Sequence, residues 1–234
     1  MKFEKELYWP DDETHLNVQG PTYQEEIFNK SLEYVPEFDC VALDIGAHVG
    51  IWSKRLAEHF AGVIAFEPNP SARECLIKNA PEVMVIPAAL GARPTQLVFT
   101  QPQPGNTGYS TVLPMGAHTL DKVAFTGVAM RLDDFNLCVP LGYMKIDVEG
   151  QELAVLQGGV RTIQVNRPLI VIELKGLGPL KDDPAAPANF LTKLGYEFKY
   201  RISHDHIFAP IAGVSREGLA GTDGFGGRPL LPAS

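Results

Sequence analysis

The 234-residue sequence predicts an α/β protein, a mostly parallel sheet with helices on both faces. Three observations carry that expectation. Short, mostly apolar runs at 41–45, 63–66, 83–86, 143–146 and 169–172 are too brief for helices and have the texture of strands buried on both faces. Segments with helical periodicity separate them. Several runs end at a glycine or an acid, where strands of open α/β sheets meet ligands.

Residues 1–38 are mixed and polar and read as an extension or cap, with a turn at Trp9-Pro10-Asp11-Asp12 and a short helix over 23–34. After the strand 41–45, Trp52, Leu56 and Phe60 recur at four-residue spacing and predict a helix over 51–60. Strand 63–66, a helix opened by Pro70 and running through Asn79, and strand 83–86 complete the first half. From Gly91 to Thr126 the pattern loosens: 96–100 alternates like an edge strand, and 101–116 is a Gly/Pro/Asn/Ser-rich loop. Order resumes at 143–146. Leu153, Leu156, Val160 and Ile163 mark one face of the next helix, and Pro168 opens the strand at 169–172. A helix ending at Gly195 precedes an antiparallel hairpin, 196–202 with 206–209. The main domain is expected over 39–212, and 213–234 is expected to be a flexible tail.

Composition limits the functions available. With 20 Lys+Arg against 28 Asp+Glu the net charge is −8, which argues against a general nucleic-acid binder. Three scattered cysteines (Cys40, Cys75, Cys138) fit buried thiols in a reducing compartment rather than a disulfide framework or metal site. No apolar run reaches the ~20 residues of a membrane helix, and the start lacks a secretory pattern. A cytoplasmic location is expected.

The chemistry concentrates at two strand ends. In Asp44-Ile45-Gly46-Ala47-His48-Val49-Gly50 a strand runs through two glycines into a helix, so the backbone can approach a ligand closely. Glu67 closes the next strand, where a carboxylate can take both hydroxyls of a ribose. Ala47 replaces the glycine that would admit a pyrophosphate, and Asp44 would repel phosphate, which weighs against a nicotinamide dinucleotide. A cationic nucleoside suits Asp44 plus Glu67 better, and S-adenosylmethionine is one. Taken singly, Asp44 can cap the turn and Glu67 can be a solvated strand end; their spacing points to a ligand. The second constellation is Lys145-Ile146-Asp147-Val148-Glu149-Gly150-Gln151-Glu152, again at the carboxyl end of a strand. Its acids can also cap the following helix.

The strings Asp44-x-Gly46-Ala47-x-x-Gly50, Ala65-Phe66-Glu67-Pro68-Asn69-Pro70, Ala89-Leu90-Gly91, Arg131-Leu132-Asp133-Asp134 and Lys145-Ile146-Asp147-Val148-Glu149-Gly150-x-Glu152, with Arg167-Pro168, Glu173 and Leu194-Gly195-Tyr196, resemble the FkbM-type methyltransferases over about residues 40–210. The resemblance implies a Rossmann-like class I fold, a mostly parallel seven-stranded sheet with helices on both faces and a C-terminal antiparallel hairpin. It implies S-adenosylmethionine as cofactor and O-methylation of a sugar or other small-molecule or glycan hydroxyl, with no nucleic acid as partner. Asp44, Gly46, Ala47, His48 and Gly50 would line the methionine side, Glu67 the ribose, Pro68, Ala88 and Ala89 the adenine. Asp147 would face the transferring methyl group as general base, with Glu149 second and Glu173 as a pocket-lining acid. No metal is expected. His48 stands where the family commonly has Asn. Trp9-Pro10, His15 and Tyr23-Gln24 resemble phage-borne members, which would place the protein in a host cytoplasm.

Weaker candidates are His204 and His206 around Asp205, expected to be solvated, isolated His15 and His118, and the loop Asn106-Thr107-Gly108-Tyr109-Ser110, which could close over an acceptor. A cofactor-binding module without catalysis and a nicotinamide dehydrogenase are the alternative readings.

Overall fold

The chain enters through a hairpin, β1 (Lys2–Glu4) with β2 (Leu7–Trp9), and helix α1 (Glu25–Leu32). Strand β3 (Val41–Ile45) leads into α2 (Ile51–Ala57); β4 (Gly62–Phe66), α3 (Pro70–Asn79) and β5 (Met84–Ile86) follow. Four strands then leave the main sheet: β6 (Ala89–Leu90), β7 (Thr95–Thr100), β8 (Thr111–Leu113) and β9 (Phe125–Met130). A 3-10 turn at Leu132–Phe135 returns to β10 (Leu141–Ile146), α4 (Glu152–Gly158), α5 (Val160–Asn166), β11 (Leu169–Glu173), α6 (Ala186–Lys193) and the pair β12 (Tyr196–Ile202) and β13 (Asp205–Pro210). This computed structural model describes residues 1–14, 22–101, 105–108, 111–113, 124–175, 183 and 185–213.

The main sheet has seven strands in the order β12-β13-β11-β10-β3-β4-β5. From β11 to β5 all neighbours are parallel, and the terminal hairpin runs antiparallel to β11. Both faces are covered, which is why the strands read as apolar runs interrupted only by Asp44 in β3 and Lys145 in β10 before their ends. Ala42, Ala65, Tyr143 and Val171 face a core with Phe28, Trp52, Leu56 and Leu76 from α1, α2 and α3. The alternate residues Leu43, Phe66, Met144 and Ile170 face Leu156, Ile163 and Leu191 from α4, α5 and α6. Each of the larger aliphatic and aromatic side chains among these contributes roughly 1.5–3 kcal/mol. Chain order reverses between β3 and β10, so the crevice at their carboxyl ends is the topological switch point where this architecture binds ligands.

Several expectations need correction. The strand expected at an edge near 96–100 is β7, an inner strand of a separate four-stranded sheet ordered β6-β9-β7-β8. Its partner β9 lies in a stretch expected to be irregular, because exposed positions along β9 dilute the apolar signal. The helix expected through Leu153 and Ile163 is two helices. Gly159 separates them, and Gly158, the last residue of the first, packs so tightly that a Cβ there would lie 2.0 Å from the Gly91 carbonyl oxygen. Helix α2 stops at Ala57, and Phe60 reaches the core through a turn whose N–H bonds the Leu56 carbonyl. Residues 1–38 include a hairpin unseen in the sequence, held on α3 by Asn79, whose amide bonds both backbone groups of Tyr8. Cys40 and Cys75 are buried as expected, but Cys138 is exposed. The expected tail lies, beyond Gly213, outside the described residues.

Candidate active site

Strands β3 and β10 are in register with Asp44 beside Lys145 and Ile45 beside Ile146, so their two signature strings emerge together. Gly46, at φ +84°, turns the chain against the neighbouring strand end; a Cβ would sit 1.8 Å from the Asp147 carbonyl oxygen. Its N–H and that of Ala47 donate to the Phe66 carbonyl at 3.0 and 3.2 Å. His48 follows at φ +51°, and Gly50 at φ +86° starts α2 against Leu76.

Glu67 fastens the same turn. Its Oε2 accepts the His48 N–H and its Oε1 the Asn69 N–H, both at 2.7 Å. Burial pushes its carboxyl up to about 7, against the pull of those two amide donors. Each oxygen keeps a lone pair for a ligand hydroxyl. Asp44 is also buried; Ser53 of α2 donates to its Oδ2 at 2.6 Å, and burial raises the carboxyl to about 6.

Two adjoining cavities open here. One, of about 230 Å³, is walled by Phe66, Glu67, Pro68 and Ala89 and roofed by Leu97, Phe99 and Phe125 of the small sheet. The other, of about 380 Å³, is more polar and bordered by Asp44, Ala47, Tyr23, Trp52, Lys145 and Lys175. Gly46, His48, Gly108, Asp147 and Glu149 border both and form the junction. Of the residues expected to bind cofactor, Gly50 and Ala88 are on neither wall. Gly50 packs behind the turn, and Ala88 is buried between β5 and β6.

The carboxylates of Asp147, Glu149 and Glu173 each place an oxygen within 4.8 Å of the others, close enough to hold a metal ion. Two lysines neutralise this cluster. Lys175 Nζ lies 3.4 Å from Glu149 Oε1 and 2.7 Å from Glu173 Oε2. Lys145, almost wholly buried in the middle of the sheet, lies 3.5 Å from Asp147 Oδ2 and 3.0 Å from Asp205 Oδ1. Burial, then the Asp147 charge, raises Glu149 to about 7 and Glu173 to about 9. Asp147 goes the other way: although burial opposes it, the ammonium groups of Lys145 and Lys175 hold its carboxyl below the usual range.

Lys145 and Asp205 were not singled out as site residues by the motifs, nor were Gln24 and Trp52. Asp205 Oδ2 accepts from Gln24 Nε2 at 2.7 Å, and Gln24 Oε1 accepts from Trp52 Nε1 at 2.6 Å, so α1, α2 and β13 converge on Lys145. A lysine inside an apolar strand was the available signal. His204 and His206 flank Asp205 at the hairpin turn but line neither cavity, and His206 Nδ1 meets the His204 carbonyl at 2.8 Å. His15, His118, Tyr109 and Ser110 lie outside the described residues.

A family model described as the methyltransferase FkbM domain matches residues 44–198. Among curated proteins there is no significant match. Among solved structures, methyltransferase FkbM from Methylobacillus flagellatus is 16% identical, with a TM-score of 0.51 over 83% of this chain and 51% of that one, so this chain spans about half of that protein's length. An rRNA methylase from Streptococcus thermophilus is 9% identical (TM-score 0.47; 83% and 98% covered). A Streptococcus mutans protein solved in complex with SAH is 12% identical (TM-score 0.47; 82% and 97% covered).

Proposed function

The chain belongs to the FkbM methyltransferase family, and from that premise we propose that it methylates a hydroxyl of a small-molecule or glycan acceptor. The family and fold are those of S-adenosylmethionine-dependent class I methyltransferases. The observation that carries the acceptor reading is the convergence of Asp147 with the glycine turn at the junction of two cavities, one fit for a nucleoside and one polar.

The residues present fit the cofactor. Both amides at the start of the turn are spent on Phe66, so no anion cradle is offered to a pyrophosphate. Glu67, with lone pairs to spare, would hold the ribose hydroxyls, Pro68, Ala89 and Leu97 would flank the base, and Asp44, Ala47 and His48 would border the methionine end. When bound, S-adenosylmethionine supplies an electrophilic methyl group on a positively charged sulfur.

The protein's share is alignment and proton removal, the latter worth typically ~10²–10⁴-fold. Asp147, kept ionised by two lysines, is the acceptor for the hydroxyl proton. Glu173, raised to about 9, stays protonated beside it at neutral pH. Net charge −8 and the acidic rim support an uncharged acceptor over a polyphosphate one.

Calorimetry with S-adenosylmethionine, S-adenosylhomocysteine, NAD and an RNA oligomer, followed by homocysteine-cofactor release with free sugars, glycans and phenols, tests this reading. Binding of the adenosyl ligands and turnover on a hydroxyl acceptor are expected. Asp147→Asn should leave cofactor binding within a few-fold and lower turnover by at least ~100-fold. Turnover confined to RNA, or unchanged in Asp147→Asn, would overturn the assignment; cofactor binding without turnover on any acceptor would favour a binding module.

A further inference from the structure

Residues 106–108 border the junction, and the N-terminal arm braces them from behind. Trp9 and Glu13 are both fully buried. Glu13 Oε2 accepts the Thr107 N–H at 2.8 Å and the Thr107 hydroxyl at 2.6 Å, and the Thr14 N–H donates to the Gly105 carbonyl at 2.7 Å. Thr107 Oγ1 stands 2.8 Å from His48 Nε2, with the Trp9 ring beside the imidazole at 6.3 Å between centroids.

The proton order of this chain follows from valence. A hydroxyl has one hydrogen, and a carboxylate only accepts. With Glu13 ionised, as its electrostatic pull on the ring requires, the Thr107 hydrogen is committed to it, so the Thr107 oxygen can meet Nε2 only as an acceptor, which puts the imidazole hydrogen on Nε2. Burial pushes His48 down to about 4, which keeps the ring neutral at pH 7. Among the described residues nothing hydrogen-bonds Nδ1, and His48 borders both cavities.

We propose that Glu13 is a positioning residue that, through Thr107, fixes His48 as the Nε2–H tautomer and presents its Nδ1 lone pair to a second hydroxyl of the acceptor, beside the one taken by Asp147. The acceptor class is therefore a diol, as in a sugar; a phosphate or carboxylate at that spot would set lone pair against lone pair. The acceptor half of this inference rests on the cleft being the methyl-transfer site.

The test begins without ligand. In full-length protein labelled with ¹⁵N-histidine, a long-range ¹H–¹⁵N spectrum at pH 7, assigned by the signal lost in His48→Asn, should show a protonated Nε2 and a bare Nδ1. Glu13→Gln can donate to the Thr107 oxygen, and Thr107→Val removes that oxygen; in each, the His48 signals should shift toward the other tautomer or a mixture. A bare Nε2 in the wild type, or an unchanged tautomer in both variants, would overturn the positioning role. With acceptors, the wild type should prefer a diol over its monodeoxy analogue by about tenfold in kcat/KM, and Glu13→Gln should lose that preference. A preference absent from the wild type, or intact in the variant, would overturn the diol assignment. Failure of the wild type to bind S-adenosylhomocysteine would instead overturn the methyl-transfer reading, and the ligand-free tautomer distinguishes the two failures.

Discussion

Gly46→Ala is the substitution that most directly tests how the two strand ends form one site. The added Cβ would lie 1.8 Å from the Asp147 carbonyl oxygen and 2.9 Å from its carbon, whereas real Cβ contacts stay beyond 3.0 Å. The turn and the β10 end must therefore separate by about 1 Å. Between them stand the Asp147 N–H to Ile45 carbonyl bond at 3.0 Å and the Gly46 N–H to Phe66 carbonyl bond at 3.0 Å, and neither survives that shift with good geometry. The left-handed backbone adds ~1–2 kcal/mol for a residue with a side chain, and overpacking costs typically ~1–3 kcal/mol. A total of ~2–5 kcal/mol should lower Tm by roughly 4–20 °C. Displacing Asp147 by about 1 Å should also cost ~100-fold in turnover. The assays are thermal denaturation, calorimetry with S-adenosylhomocysteine, and methyl transfer. Gly62→Ala in β4 is the control: its nearest foreign atom would be Val41 Cγ2 at 3.7 Å, so little should change. If Gly46→Ala keeps the wild-type Tm and binds S-adenosylhomocysteine within threefold, the reasoning is wrong.

Glu67→Gln should weaken S-adenosylhomocysteine binding by about 10–100-fold, and wild-type affinity should fall as pH drops through about 7, where this carboxyl takes up a proton; calorimetry across pH 5.5–8.5 reads both. Asp44 (about 6), Glu67 and Glu149 (about 7) and Glu173 (about 9) all hold protons more tightly folded than unfolded. Their contribution to stability is complete below about pH 4 and lost as pH rises through 6 to 9, so Glu173→Gln should flatten the fall of Tm between pH 7 and 9. Lys145→Met leaves Asp147 and Asp205 without their shared cation, which should cost about 3–5 kcal/mol in denaturant unfolding and move the acid limb of the rate profile to higher pH. One of the three thiols, exposed Cys138, should react with a disulfide reagent in native protein, while Cys40 and Cys75, the latter pushed up to about 11, react only on unfolding.

What could be read in advance was local. Strand β3 and helix α3 have the bounds their residues indicate, because apolar runs and a Pro70 start are short-range signals. The same holds for the strings at Gly46 and Asp147, whose spacing along the chain is itself the geometry. The small sheet was opaque because β7 and β9 pair across some thirty residues of irregular composition, with exposed Thr and Gln diluting the pattern. The wiring of the site was opaque for a related reason. Lys145 meets Asp205 across 60 residues, Gln24 meets Asp205 across 181, and Glu13 meets Thr107 across 94. No spacing rule reaches that far. What betrays such pairs is misplacement: a charge in a strand that should be apolar must have a partner somewhere.

That misplacement also bears on which carboxylate does chemistry. Among the described residues, Asp147, Glu149, Glu173 and Asp205 share two ammonium groups, Lys145 and Lys175, in a largely buried setting. They cannot all carry charge there, since an unpaired buried carboxylate is far costlier than a protonated one. The lysines decide the allocation by position. Lys145 and Lys175 both act on Asp147, which stays below the usual carboxylate range, while burial and then that charge lift Glu149 to about 7 and Glu173 to about 9. Neighbouring acids driven apart in this way are the mark of an assigned base with a protonated companion. In the proposed reaction the acid left ionised at neutral pH is Asp147, whose backbone meets the glycine turn at the junction that Glu149 also borders.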